Sequence, residues 1–157
     1  MRLAIHLSLL VGACAPVQPA PVSPSGDSAL LAALFEDARL IEKGLGPDFA
    51  CVSVHSGQNQ GDPDSAVVAL LAGRWKIPVI PGSRCEIKED SSLVVTPGIG
   101  GTGKWLRVIN LQCAGPNHCN ADVGYYVANM GSGGRGVTAA RTSSGWKITP
   151  TGRVWIS

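Results

Sequence analysis

From Leu93 onward the chain alternates apolar and polar residues in short runs bounded by turn residues, a pattern that fits strands and not helices. The candidate strands are Leu93–Thr96, Trp105–Cys113, Val123–Asn129, Val137–Thr142 and Trp146–Ile156, the last open to a break at Pro150–Gly152. Gly115-Pro116, Gly131–Gly136 and Ser143-Ser144-Gly145 supply turn chemistry between them. In Trp105–Cys113 both alternate sets carry apolar residues, so this strand is expected at the centre of an antiparallel sheet.

The preceding half supplies helices. Leu30, Leu31, Leu34, Ala38 and Ile41 recur at helical spacing behind a cap at Asp27 or Ser28, and Gly44 is the expected stop. Leu45 is placed to fold back on the last turn. Phe49–His55 alternates like a half-buried strand, with Phe49 and Cys51 expected to face the helix. Asp62-Pro63 is expected to open a second, shorter helix that ends near Gly73. Pro78 and Pro81 confine Val79-Ile80 to an edge segment. The fold class is therefore α+β: one long and one shorter helix on a curved antiparallel sheet of about 4–6 strands. The closing pattern Arg141-Thr-Ser-Ser-Gly-Trp146-Lys-Ile148, with Trp155-Ile156-Ser157, loosely resembles the last hairpin of cystatin-like or NTF2-like domains. That resemblance implies architecture and carries over no catalytic residue.

The N-terminus speaks to location. Arg2 is followed by a mostly apolar run, Leu3 to Gly12, too short for the roughly 20 residues that span a bilayer. A core helix would show a polar face, and this run has only His6 and Ser8. Cleavage at Ala13-Cys14-Ala15 would leave Pro16 at the new terminus, a poor peptidase product. Val11-Gly12-Ala13-Cys14 resembles the lipobox of bacterial lipoproteins. The resemblance implies a signal peptide over residues 1–13, lipidation (palmitate included) on Cys14, and an exported protein anchored in the membrane, with the outer membrane facing the periplasm as the expected site. Residues 14–26, with Pro16, Pro19, Pro21 and Pro24, then form an extended tether, and residues 27–157 a single domain.

With Cys14 set aside, four of the five cysteines remain, which allows three pairings in an oxidising compartment. The favoured pairing is Cys51–Cys85 with Cys113–Cys119, the second closing a tight loop through Gly115-Pro116.

Three motifs could carry chemistry. Gly98-Ile-Gly-Gly-Thr-Gly103-Lys104 matches seven positions of a phosphate-binding loop, but Trp105 stands where a magnesium-holding hydroxyl is needed, and a strand follows where a helix should. Cys113, His118 and Cys119, with His55, have poor zinc spacing, and their thiols are expected to be oxidised. His55 with Asp48 or Asp122 is a weak acid–base pair. No cofactor or metal is called for, and an enzyme is the less favoured reading. From Pro97 to the end, Lys104, Arg107, Arg135, Arg141, Lys147 and Arg153 face a single acid, Asp122. Lys104, Arg107, Arg135 and Arg141 are the candidate binding cations, with Trp105, Trp146 and Trp155 beside them. The expected function is an envelope lipoprotein with a non-catalytic binding domain. Its partners would be the membrane through its lipid, and another envelope protein or an anionic envelope polymer; nucleic acid is not expected. The alternatives are a periplasmic enzyme with its site between helix and sheet, and an inhibitor or immunity protein acting through a Gly131–Gly136 loop.

Overall fold

The computed structural model describes residues 27–41, 46–89, 93–127 and 131–156. The signal segment Met1–Cys14, the tether to Gly26, the Gly44 stop and Leu45 lie outside these residues.

The described residues begin with α1, Ser28–Ile41. Asp27 caps it, its Oδ1 accepting the Leu30 amide at 2.9 Å. Leu30, Leu31, Leu34, Phe35 and Ala38 bury one face, each large side chain contributing about 1.5–3 kcal/mol relative to exposure. Next come β1, Phe49–Ser56, and the short return β2, Asn59–Gly61. The second helix, α2, is Ser65–Trp75. It starts later than expected because Asp62 turns away to accept the backbone amide and hydroxyl of Ser83 at 2.8 and 2.5 Å. It also runs past Gly73, ending where Lys76 takes a left-handed φ of 60°. At 14 and 11 residues, the two helices differ little in length.

Short segments follow: β3, Val79–Pro81, a 3-10 turn at Gly82–Arg84, then β4, Glu86–Ile87, paired with β5, Val94–Val95. Four long strands close the chain: β6, Gly103–Gly115; β7, His118–Val127; β8, Gly131–Thr142; β9, Gly145–Ile156. Gly131–Gly136 is therefore strand and not a loop, which removes the element that the inhibitor reading relied on.

Among the described residues the main sheet has seven strands, more than expected, in the order β2-β1-β6-β7-β8-β9, with β3 also on β1. It is mostly antiparallel. However, β1 runs parallel to both β3 and β6, a pairing that alternation alone cannot reveal. Both helices lie on one face. Helix α1 crosses β6 to β9 and touches α2, while α2 packs on β3.

The facing of β1 is the reverse of the expectation. Ala50 and Val52 join the main core under the helices, whereas Phe49 and Cys51 join a second cluster on the other face, with Ile80 and Val94. Both sets in β1 are apolar, so its pattern did not tell one side from the other. The Cys51–Cys85 bridge secures the second cluster. The second bridge, Cys113–Cys119, joins opposed residues near the β6–β7 turn.

Candidate binding face

The sheet has one helix-covered face and one face without helices, and the cations divide between them. On the covered face they clamp α1. At its start, Asp27 Oδ2 accepts the Trp146 indole N–H at 3.0 Å and lies 3.7 Å from Arg141, which also sits over the Trp146 ring. In its middle, Asp37 receives two hydrogen bonds from Arg135, at 2.6 and 3.0 Å. Near its end, buried Lys104 donates to the Arg39 carbonyl at 3.4 Å and lies 5.1 Å from the Tyr125 ring centre. A cation there also suits the negative end of the helix dipole. Lys104, Arg135 and Arg141 thus sit along α1. Arg107, the fourth candidate cation, is on the opposite face.

That opposite face is built by period two. Ser53 and His55 of β1, Trp105 and Arg107 of β6, Asp122, Gly124 and Tyr126 of β7, Gly134 and Gly136 of β8, and Arg153 and Trp155 of β9 share it. One rung reads Ser53, Arg107, Gly124, Gly134, Trp155. Its two glycines make a floor for the Trp155 ring; a β-carbon at Gly134 would collide with that ring and with the Val123 carbonyl. The ring reaches across to Gly124, beside Arg107.

Asn110 adopts a φ of 52° at a bulge between Ile109 and Gln112, which resets the alternation of β6. Beyond Ile109, Asp122 pairs with Arg153. Around that pair lies a polar concavity of about 360 Å³, lined by Asn110, Gln112, Asn120, Asp122, Thr151 and Arg153.

At the other end, the Trp105 indole donates to Ser53 Oγ at 2.9 Å, and Ser53 Oγ lies 2.9 Å from His55 Nε2. Ser53 is fully buried beneath Gly82, so this Ser–His pair is a packing device with no room for an attacked substrate. The two carboxylates considered for His55 are engaged elsewhere. Asp48 accepts the Thr102 amide at 2.7 Å, and Asp122 holds Arg153. The zinc candidates do not converge either, since Cys113 and Cys119 are joined to each other. Lys104 points to α1 and cannot serve a phosphate at Gly98–Gly103.

The electrostatics single out Arg107. It is half-buried, and among the described residues no carboxylate pairs with it. Burial lowers its pKa from the usual guanidinium range, and Tyr126 acts in the opposite sense. Burial, and then the charge of Arg107, push His55 below its ordinary 6.5, so His55 is neutral at neutral pH.

Arg107 and Trp155 were named from the sequence; Ser53, Tyr126 and the glycine floor were not. The available signal was Gly133-Gly134-Arg135-Gly136 lying within reach of strand patterns, where glycine marks close approach as well as turns. Comparison with family models, with curated proteins and with solved structures finds no match.

Proposed function

We propose that this chain is an exported, non-catalytic binding domain that holds an anionic polymer of the cell envelope on its helix-free sheet face. The observation that carries the reading is Arg107: a half-buried guanidinium with no carboxylate partner among the described residues, set on a face with Trp105, Tyr126 and Trp155. Retaining such a charge costs desolvation, which an anionic ligand would offset. The lipobox-like Val11-Gly12-Ala13-Cys14 supports attachment through a lipid on Cys14, with the Pro-rich segment as a spacer, at the periplasmic side of the outer membrane. The two disulfides fit an oxidising compartment. Helix α1 lying across β6 to β9 supports a cystatin-like or NTF2-like kinship, and the parallel insertion of β1 departs from it.

Two experiments test this. Cells fed a fatty-acid probe should label the wild-type chain and not Cys14→Ser; equal labelling refutes the anchor. Purified chain should cosediment with isolated envelope polymer, and Trp155→Ala should weaken that retention about tenfold, the size expected for removing an aromatic anchor. Retention of Trp155→Ala equal to wild type would remove this face from the reading.

A further inference from the structure

We infer that Arg107 is the receptor for a single carboxylate group, and that the ligand bearing it lies against the Trp155 ring, which itself covers the Gly124–Gly134 floor. This inference rests on the binding reading above and specifies its chemistry.

The charge count on this face selects the ligand. Of the two arginines there, Arg153 is already neutralised by Asp122, two residues along β7 from the Arg107 rung. His55 contributes no charge at neutral pH, being held below its ordinary range. Lys147 shares the face but sits beside His118 and Ala140, six residues along β7 from Gly124, so around Arg107 one positive charge is left and a monoanion balances it. A dianionic phosphate would bring a second negative charge onto a half-buried face with nothing to meet it. Guanidinium and carboxylate are both planar and match two bonds to two oxygens.

The shape of the face sets the direction. From Arg107, the rung toward β9 runs over Gly124 and Gly134, where the Trp155 ring lies in the space that side chains would fill and reaches back to Gly124. Toward β1 it meets buried Ser53, covered by the 3-10 turn. The ligand body is therefore directed to one side only, toward the outer face of the Trp155 ring. A ring-bearing acid such as a uronic acid suits this path, its carboxylate on Arg107 and its ring against the Trp155 indole.

The test is an NMR titration of the isotope-labelled full chain with glucuronate, using glucose and inorganic phosphate at matched ionic strength for comparison. Glucuronate should shift the Arg107 side-chain Nε–Hε and the Trp155 indole resonances to saturation. Phosphate should bind about tenfold more weakly, and glucose should leave Arg107 unmoved. Arg107→Lys should weaken glucuronate about tenfold while keeping the backbone spectrum of the fold, and Arg107→Gln serves as the second variant if the lysine perturbs it. A flat glucuronate titration, phosphate bound as well as glucuronate, or wild-type binding by Arg107→Lys would each overturn the inference. The two proposals fail separately. Cosedimentation that depends on Trp155 with no response at Arg107 overturns this one and leaves the binding face standing. Glucuronate binding without polymer retention removes the polymer and keeps the carboxylate site.

Discussion

The two faces of this sheet use the same residue types for opposite ends. Under α1, every basic residue is matched: Arg135 by Asp37, Arg141 by Asp27, Lys104 by a helix carbonyl. On the other face Arg153 is matched by Asp122, whereas Arg107 has no carboxylate partner among the described residues. Aromatics divide likewise. Trp146 anchors the start of the helix, whereas Trp155 lies on a floor of glycine with no helix above it. The lesson is that a cation count says little about binding until the partners are known. Most of the basic excess of the C-terminal half is internal scaffolding.

The largest effect expected from breaking the comparison is on the covered face. Phe35→Ala removes a fully buried ring from the main core and should cost about 3–5 kcal/mol in denaturant unfolding. A loss under 1 kcal/mol would mean that the helices are not where the stability resides.

On the opposite face a covalent link reinforces the second buried cluster. Replacing Cys51 and Cys85 together by alanine opens a loop of sequence separation 34 and should cost about 3–4 kcal/mol, against about 2 for the Cys113–Cys119 pair with separation 6. Equal losses would show that loop length does not set the difference.

The arginines give the sharpest contrast. Asp37→Ala leaves Arg135 partly buried without its partner and should destabilise by about 1–3 kcal/mol. Arg107→Met removes a charge with no carboxylate partner among the described residues, and should leave stability unchanged or raise it by about 1 kcal/mol. If both substitutions destabilise alike, Arg107 is scaffolding too, and the division between faces fails.

The smallest effect is that of pH. The folded state lowers the His55 pKa, so the unfolded chain binds that proton more tightly. Stability should therefore decline as pH falls through the unfolded value near 6.5, where protonation favours unfolding. His55→Gln should flatten this part of the profile, and Arg107→Met should reduce its slope by removing the second cause. A wild-type slope retained in His55→Gln would assign it to another group.

Much of the architecture was legible. The helix at Ser28–Ile41, its Asp27 cap and the late strands all follow from periodicity and capping, which are local. Both favoured cysteine pairs are the pairs present, the second because Cys113 and Cys119 oppose each other across a turn. The failures also have local causes. Asp62-Pro63 looks like a helix start until Ser83 claims the carboxylate. Gly131–Gly136 looks like a turn because glycine is the same letter whether it bends a chain or clears space beneath a ring.

The site was less legible still. The sequence named Arg107, His55 and Trp155, but placed Arg107 in one set with Lys104, Arg135 and Arg141. The parity of a strand position separates inward from outward only when one set is polar. In β6 both sets are mixed, and the Asn110 bulge shifts the alternation midway.

From the sequence came the type of the main elements, the Asp27 cap of α1, an α+β class and, among three possible cysteine pairings, a preference for the one that forms, since each rests on near neighbours or on few alternatives. The tertiary structure decided the parallel entry of β1, which face the helices cover and which of the sheet's arginines has no carboxylate partner among the described residues. Those outcomes depend on residues such as Asp37 and Arg135, 98 positions apart, meeting across the sheet, and no local pattern encodes that meeting.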